Sequence, residues 1–197
     1  MAIYTGYVNI PHGTYDEWRN ATNGNGYNYD FSYGCQCYDL AVEFWWNVGF
    51  PAGYPIISES SAYKMWEYRD RNISYNGTQY FDLIYDITQI KRGDIMVFNY
   101  TSYNIYGHVG FADVDYSSWT PDPSQPYEFP ILSQNNGGTP TEGGGSLTNV
   151  HGYNINLFLG AFRYRGWNNT PTPRKSQNSH FPFVLYARRL REKSQGL

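Results

Sequence analysis

The spacing of apolar residues changes from helical to strand-like partway along the chain, and this change restricts the fold more than any other feature. Between Cys37 and Val48 apolar side chains recur every three or four residues, and Gly49 follows as a stop signal. Short apolar or alternating segments then occur at 95–100, 107–114, 129–135 and 156–164. Helices followed by an antiparallel sheet predict an α+β fold.

Weaker signals add elements at both ends of this pattern. Residues 14–22 predict a short helix, because Thr14 and Glu17 have the spacing of a capping box. We expect a further helix at 60–70 and another strand at 183–189.

The glycine-rich segment 135–149 does not follow the strand–GxxxxGK pattern of a phosphate-binding loop. We therefore predict a mobile surface loop there.

The composition is that of a globular domain with many aromatic side chains. Of the 197 residues, 16% are charged and 19% are aromatic. No apolar run approaches the roughly 18 residues of a membrane span, so no membrane span is expected. The first residues lack a basic stretch followed by an apolar one, so no signal peptide is expected either.

Basic residues are concentrated near the C-terminus. Eight of the 14 lysines and arginines follow residue 162, where Glu192 is the only acidic residue. We predict one catalytic domain at 1–166 and a basic extension at 167–197. The extension could dock on a polyanion, either nucleic acid or an anionic cell wall, or it could be a solvated terminal segment.

The two cysteines, Cys35 and Cys37, have three possible roles. A disulfide between them would be strained, and a zinc site would need two further ligands that the scattered histidines do not supply. Two inert core thiols remain an alternative. The third possibility is a nucleophile at Cys37, because a helix N-terminus stabilises a thiolate.

A nucleophilic cysteine needs an imidazole and a group that orients it. His108 is the best candidate base, since it begins a predicted strand between small glycines. Asn135 could accept the ring N–H, and Gln36 could line an oxyanion pocket beside the backbone N–H of Cys37. The alternatives are an ordinary hydrogen-bonded strand histidine at 108 and a turn-forming asparagine at 135.

Four segments resemble, in order, the blocks of the CHAP domain. They are YGCQCYDLAVEFWWNVGF (33–50), KRGDIMVFNYTSYNIYGHVGFADV (91–114), ILSQNNGG (131–138) and LFLGAFRY (157–164). CHAP domains are cysteine, histidine-dependent amidohydrolase/peptidases of the papain-like superfamily, found in bacteriophage endolysins and bacterial wall-remodelling enzymes. The resemblance covers roughly residues 14–165.

The resemblance implies a papain-like α+β fold with N-terminal helices packed on an antiparallel sheet. It also implies that Cys37 is the nucleophile, His108 the general base and Asn135 the group that orients it. One departure concerns residue 133, where many relatives have a glutamate and this chain has Ser133.

The segment before Cys37 also has the rhythm of a calcium loop. Counted from Asn28, oxygen donors fall at positions 1, 3, 5, 7 and 12, which are Asn28, Asp30, Ser32, the carbonyl of Gly34 and Asp39. Several CHAP endolysins that this chain resembles bind calcium in this loop, so we expect a structural calcium ion and no cofactor for catalysis. The alternative is an asparagine- and aspartate-rich turn, with the negative charge of Asp39 stabilised by the helix dipole in the first turn.

Together these features predict a peptidoglycan hydrolase with a Cys-His-Asn thiol mechanism. The expected reaction is cleavage of an amide bond, by an endopeptidase or an N-acetylmuramoyl-L-alanine amidase. A non-catalytic wall- or glycan-binding module, a phage structural module that retains the fold, and an amidase acting on a small amide are the alternatives.

Peptidoglycan is the expected partner, with anionic wall polymers contacting the basic extension and other phage virion or lysis proteins as further partners. Nucleic acid is not expected. The expected route is from the host cytoplasm to the wall through a holin, or delivery within a virion.

Overall fold

The computed structural model describes residues 1–29, 31 and 33–168 of the chain. The helices are α1 (Tyr15–Thr22), α2 (Cys37–Asn47), α3 (Lys64–Glu67) and α4 (Arg69–Asn72). The strands are β1 (Ile3–Tyr4), β2 (Gly26–Tyr27), β3 (Ser74–Tyr75), β4 (Thr78–Gln79), β5 (Phe81–Ile84), β6 (Ile95–Phe98), β7 (His108–Ala112), β8 (Glu128–Ser133), β9 (Asn149–Asn154) and β10 (Phe158–Tyr164).

The main sheet has the strand order β5-β10-β6-β7-β8-β9, and every neighbouring pair in it is antiparallel. Strand β10 lies between β5 and β6, so the last described strand inserts between two strands from the first half of the chain. Strands β1 and β2 form a small parallel pair, and β3 and β4 form a hairpin. The predicted α+β class with an antiparallel sheet is confirmed.

Both predicted N-terminal helices are present. In α1 the hydroxyl of Thr14 accepts the backbone N–H of Glu17, and the Glu17 carboxylate accepts the N–H of Thr14, each at 3.2 Å. Helix α2 begins at Cys37 and ends before Gly49, whose φ of +73° suits glycine. The single helix predicted at 60–70 is instead the two short helices α3 and α4.

Strands β6, β7, β8 and β10 confirm the four predicted in the second half. Strands β5 and β9 were not predicted. Strand β9 is mostly polar and half-buried at the edge of the sheet, which leaves little apolar alternation to detect. The predicted strand at 183–189 lies outside the described residues.

Helix α2 is buried on nearly all sides and forms the centre of the larger core. Its rings Phe44 and Trp45 pack against Trp18, Phe81 and Phe162, which come from α1, β5 and β10. A smaller apolar cluster that includes Phe98 and Phe129 covers the other face of the sheet. Because α2 is buried on more than one face, its sequence is apolar on more than one face.

The glycine-rich segment 135–149 is partly packed: residues 146–148 are buried, so the prediction of a surface loop is wrong for them. The carbonyl of Gly144 accepts the N–H of Cys35, and the N–H of Ser146 donates to the carbonyl of Cys35, each at 3.2 Å. A Cβ at Gly34 would lie 1.8 Å from the Gly144 oxygen, so this close approach requires glycine. The segment therefore braces the chain just before Cys37.

The end of the described chain packs on the domain. Trp167, the first residue of the predicted basic extension, contacts the rings of Tyr15, Phe44 and Tyr164. Residues from 169 onward, which include most of the basic extension, lie outside the described residues. Among the residues that are described, no helix is long and apolar enough to cross a membrane.

Candidate active site

The start of α2 is fixed by Asp39, which lies in its first turn. One carboxylate oxygen accepts the backbone N–H of Gln36 at 3.0 Å, and the other accepts that of Tyr29 at 3.3 Å. Asp39 is itself buried. The carboxylate thus holds the residues that lead into Cys37 and occupies the N-terminal end of the helix dipole.

A second clamp comes from Gln134, at the end of β8. Its side-chain amide accepts the N–H of Tyr27 (2.8 Å) and donates to the carbonyls of Tyr27 and Gln36, each at 2.9 Å. Gln134 is fully buried. It therefore ties the residue before Cys37 to the sheet that carries the candidate base. Sequence reasoning missed this residue, although it lies between Ser133 and Asn135.

Cys37 lies where α2 meets β7. The backbone N–H of Val109, the residue after His108, faces the Cys37 sulfur and acts to lower the pKa of the thiol. The side chain is 9% exposed, and burial raises its pKa to about 11, with the nearby Asp39 charge acting in the same direction. The thiol is thus protonated at rest. It lies beside Val109, which is the residue after His108 on β7.

His108 begins β7 opposite Phe98 of β6. Its Nε2 lies 3.1 Å from the hydroxyl oxygen of Ser133, and the residue is 3% exposed. Burial lowers the pKa of the imidazole to about 3, so the ring is uncharged near neutral pH. With Nε2 engaged by Ser133, Nδ1 is the ring nitrogen left for proton exchange with the thiol.

Tyr153 of β9 was also missed. Its ring stacks on the His108 imidazole with a centroid separation of 4.4 Å and an interplanar angle of 12°. Burial raises the pKa of its hydroxyl to about 12, and a negative charge on Cys37 would act in the same direction. Tyr153 therefore covers one face of the imidazole and lies close to both candidate catalytic groups.

The sequence analysis expected Asn135 to contact the imidazole of His108, but no described hydrogen bond joins the two residues. The partner of His108 is Ser133, and the Asn135 amide instead donates to the side-chain oxygen of Gln36 at 2.7 Å. Asn135 is exposed, with a φ of 54°, because it turns the chain directly after β8. Residue 133 faces β7 in the sheet, whereas residue 135 has already left it, and this explains the difference.

Gln36 is engaged on both sides of its amide. It accepts from Asn135 and donates to the carbonyl of Tyr33. The second hydrogen of its NH₂ group is the one that remains for an oxyanion. Gln36 and Asn135 together bridge the loop before Cys37 and the turn after β8.

Both cysteines are free thiols, so the disulfide alternative is wrong. Cys35 is buried, burial raises its pKa, and Thr141 hydrogen-bonds to it, as expected of an inert core thiol. Within residues 1–29, 31 and 33–168, no group of three or more His, Cys, Asp or Glu side chains could hold a metal, which removes the zinc alternative for that part of the chain.

The predicted calcium ligands are only partly described, because Asp30 and Ser32 lie outside the described residues. The side-chain oxygen of Asn28 is buried and has no hydrogen-bond partner in the described part of the chain, as an unfilled ligand would be. Both oxygens of Asp39 already accept backbone N–H groups. Gly34 lies in the same loop against Gly144. Asn28 therefore fits a cation, while Asp39 has a sufficient structural role without one.

The arrangement combines a thiol at a helix N-terminus, an uncharged imidazole and a hydroxyl that holds the imidazole. Burial disfavours a resting thiolate–imidazolium pair, so the proton would move from sulfur to ring as a bond forms to an electrophile. Acyl transfer at a carbonyl carbon suits these groups.

Comparison with known proteins identifies the family of the chain. A family model described as the CHAP domain matches residues 22–120, about half of the chain, including Cys37 and His108. A D-alanyl-L-alanine endopeptidase of Streptococcus phage B30 is 31% identical over 103 residues, which are 52% of this chain and 22% of that protein. The match thus spans less than a quarter of this relative's length.

A solved structure has the same fold. The wild-type endolysin LysIME-EF1 superposes with a TM-score of 0.55 at 22% sequence identity, covering 93% of this chain and 87% of that one. The share of the chain that this similarity covers is larger than the region matched by the family model.

Proposed function

Because the chain belongs to the CHAP domain family, we propose that it is a cysteine-dependent amidohydrolase/peptidase that cleaves an amide bond of bacterial peptidoglycan. The observation that carries the proposal is that helix α2, which begins at Cys37, packs against strand β7, which begins at His108. The free state of both cysteines and the uncharged imidazole also support it.

The proposed reaction is acyl transfer through a thioester. Cys37 attacks the carbonyl carbon while its proton passes to Nδ1 of His108, and the N–H of Cys37 and the Gln36 amide stabilise the oxyanion. His108 then protonates the leaving amine. Water attacks the thioester with His108 as base, which releases the carboxylic acid and restores the thiol.

In this proposal Ser133, and not Asn135, holds the imidazole. A hydroxyl that accepts Nε2–H fixes the tautomer that leaves Nδ1 free, as the third member of a triad must. Asn135 positions Gln36 instead. The hydrogen-bond distances of 3.1 Å for Ser133 and 2.7 Å for Asn135 support this division of roles.

Among wall amide bonds, we favour a peptide bond over the bond joining peptide to muramic acid. The support is the name of the Streptococcus phage B30 relative, a D-alanyl-L-alanine endopeptidase. The N-acetylmuramoyl-L-alanine amidase reaction is the second candidate.

The test is mass spectrometry of fragments released from purified peptidoglycan by the full chain. Cys37→Ala should release none, whereas Cys35→Ala, which removes the neighbouring buried thiol, should release the same fragments as the parent. New amino termini on stem or cross-bridge fragments would identify an endopeptidase. Release that survives Cys37→Ala would refute the mechanism, and binding without release by the parent would indicate a non-catalytic wall-binding module.

We further propose that Asn28, Asp30, Ser32, the Gly34 carbonyl and Asp39 hold a structural calcium ion. The buried, unpartnered oxygen of Asn28 supports this. Such an ion would pin the segment before Cys37 and would take no part in the chemistry. Calcium should raise the melting temperature of the parent but not that of Asn28→Ala, and an equal shift for both proteins would contradict the site.

The basic extension is proposed to attach the enzyme to anionic wall polymers. Arg163 and Arg165, two of the eight basic residues, pair with Asp94 and Asp82 in the folded domain, so the residues after 168 would supply the attachment. Replacing the arginines after residue 168 should weaken wall binding at low salt but leave cleavage of a soluble peptide unchanged. Release through a holin or delivery in a virion, with other lysis or virion proteins, remains part of this proposal.

A further inference from the structure

The segment between β6 and β7 exposes large apolar side chains directly beside His108. We call residues 99–107 the aromatic loop. Tyr103 is fully exposed, and Tyr100, Ile105 and Tyr106 are each 54–60% exposed. A cluster of exposed large side chains, unlike a single one, marks an interaction surface.

The loop is held rigidly in spite of this exposure. The N–H of Thr101 donates to the Asn104 carbonyl (2.8 Å), and the Asn104 side chain donates to the Gly107 carbonyl (2.9 Å). The N–H of Tyr63 donates to the Tyr106 carbonyl (3.3 Å), and the Tyr63 ring packs on Tyr100, so the loop is also joined to the segment before α3. The exposed rings are therefore displayed in a fixed relation to the imidazole.

The turn back into β7 brings these rings close to the reacting groups. Gly107 has a φ of +67°, and a Cβ there would lie 2.6 Å from the Phe98 carbonyl oxygen, so the turn requires glycine. Tyr106 is two residues from His108, a span of at most about 7 Å along the chain. The loop therefore leads directly into the strand that carries the imidazole.

The charges around the loop indicate an uncharged ligand. Residues 99–107 contain no charged side chain, and neither do residues 33–38 on the cysteine side of the site. Lys64, which lies over the ring of Tyr63 beside the loop, is paired with Glu67 at 2.8 Å. Tyrosine rings with polar tips offer both an apolar face and hydrogen bonds, as the faces and hydroxyls of a sugar ring require.

On the basis of the proposed function, we infer that the aromatic loop binds the glycan strand of peptidoglycan and so presents the attached peptide to Cys37. A charged stem peptide or an anionic wall polymer would be expected to meet lysines or arginines here, and this loop has none. The glycan backbone is the uncharged component of the same substrate.

The test measures binding by the full chain carrying Cys37→Ala, so that no substrate is consumed. The probe is an oligomer of N-acetylglucosamine, which has the uncharged sugar backbone of the glycan, because strands stripped of their stem peptides carry a free carboxylate on each muramic acid. Tyr103→Ala combined with Tyr106→Ala should raise the Kd by about tenfold or more, the loss expected for two aromatic contacts. Tyr85→Ala with Tyr127→Ala removes two similarly exposed tyrosines elsewhere and should leave the Kd unchanged.

The conservative pair Tyr103→Phe and Tyr106→Phe separates stacking from loss of structure, because it keeps both rings and should retain most of the binding. Equal affinity of the alanine pair and its parent for the N-acetylglucosamine oligomer would overturn the inference, and so would a loss confined to soluble stem peptides. If the parent with intact Cys37 cleaves no peptidoglycan but loop-dependent glycan binding persists, the proposed hydrolase fails while the glycan site stands.

Discussion

The imidazole of His108 contacts a serine hydroxyl and a tyrosine ring, and these neighbours set its behaviour. Ser133 supplies a neutral hydrogen-bond partner, so no carboxylate at this position favours protonation. Burial acts in the opposite direction and lowers the imidazole pKa to about 3. The base is consequently available well below neutral pH.

The first prediction concerns the pH dependence of hydrolysis. Between pH 7 and pH 5, kcat/KM for a soluble peptide substrate should stay nearly constant, because His108 remains unprotonated. An imidazole with the ordinary pKa of 6.5 would have only about 3% of its basic form at pH 5. Ser133→Glu should move the acidic limb to higher pH by about one unit or more, since a nearby carboxylate favours imidazolium. An acidic limb at pH 6–7 in the parent would contradict the assignment.

The second prediction concerns the ring stacked on His108. Tyr153→Leu should lower kcat/KM by about threefold to tenfold, the range for one aromatic contact, because the imidazole loses the surface that holds its orientation. Water would also reach the ring, so the acidic limb should move toward pH 6.5. Tyr153→Phe keeps the stacked ring and should retain most of the activity. A leucine variant with the parent pH profile would show that Tyr153 does not act on His108.

At the scale of elements, α2 both carries the nucleophile and forms the centre of the core. Its burial extends to Glu43, whose carboxylate accepts the side chain of Asn47 at 2.7 Å. Asn47 in turn accepts the N–H of Ile10, so the helix also holds the N-terminal segment. Burial raises the pKa of Glu43 to about 8, which makes it an uncharged acid inside the fold at neutral pH.

The third prediction follows from the sign of that shift. In the unfolded chain Glu43 ionises near pH 4.5, whereas in the folded protein it holds its proton to about pH 8. Its contribution to stability is therefore complete below pH 4.5 and decreases by about 1.4 kcal/mol per pH unit up to pH 8. Glu43→Gln should remove this loss, so that urea unfolding shows the variant gaining on the parent from pH 5 to pH 8. Glu142→Gln, at an exposed glutamate, is the control, and parallel pH curves for parent and Glu43→Gln would be the contrary result.

At the scale of the whole molecule, β10 closes the domain by pairing with β5 on one side and β6 on the other. A bidentate ion pair reinforces this closure, since the guanidinium of Arg163 on β10 contacts both carboxylate oxygens of buried Asp94 at 2.7–2.8 Å. Arg165, just past β10, pairs with Asp82 at the surface. The two pairs differ chiefly in burial.

The fourth prediction uses that difference. Arg163→Met should lower the free energy of unfolding by about 3 kcal/mol, because Asp94 would be left buried without its partner. Arg165→Met breaks a half-exposed pair and should cost less than about 1 kcal/mol. Chemical denaturation of both variants would measure the contrast. Similar losses would mean that burial of Asp94 does not govern the energetics of this contact.

Helices whose position depends on the spacing of nearby residues could be predicted from the sequence. The apolar spacing of 37–48, the cap at Thr14 and the stop at Gly49 depend on neighbours within one or two turns, and α1 and α2 confirm them. The polar edge strand β9 and the split of 60–70 into two helices could not be predicted, because packing against distant elements overrides weak local preference there.

By itself the sequence determined the α+β class, the antiparallel sheet and the identity of Cys37 and His108 as the thiol and imidazole of interest. Only the tertiary structure decided which side chains surround them. Ser133 and Tyr153 contact the imidazole, and Asn135 hydrogen-bonds to Gln36. Gln134 hydrogen-bonds to the carbonyl of Gln36 at the start of α2. These contacts join residues up to 107 positions apart, and such pairings depend on strand register and chain crossing, which local periodicity does not encode.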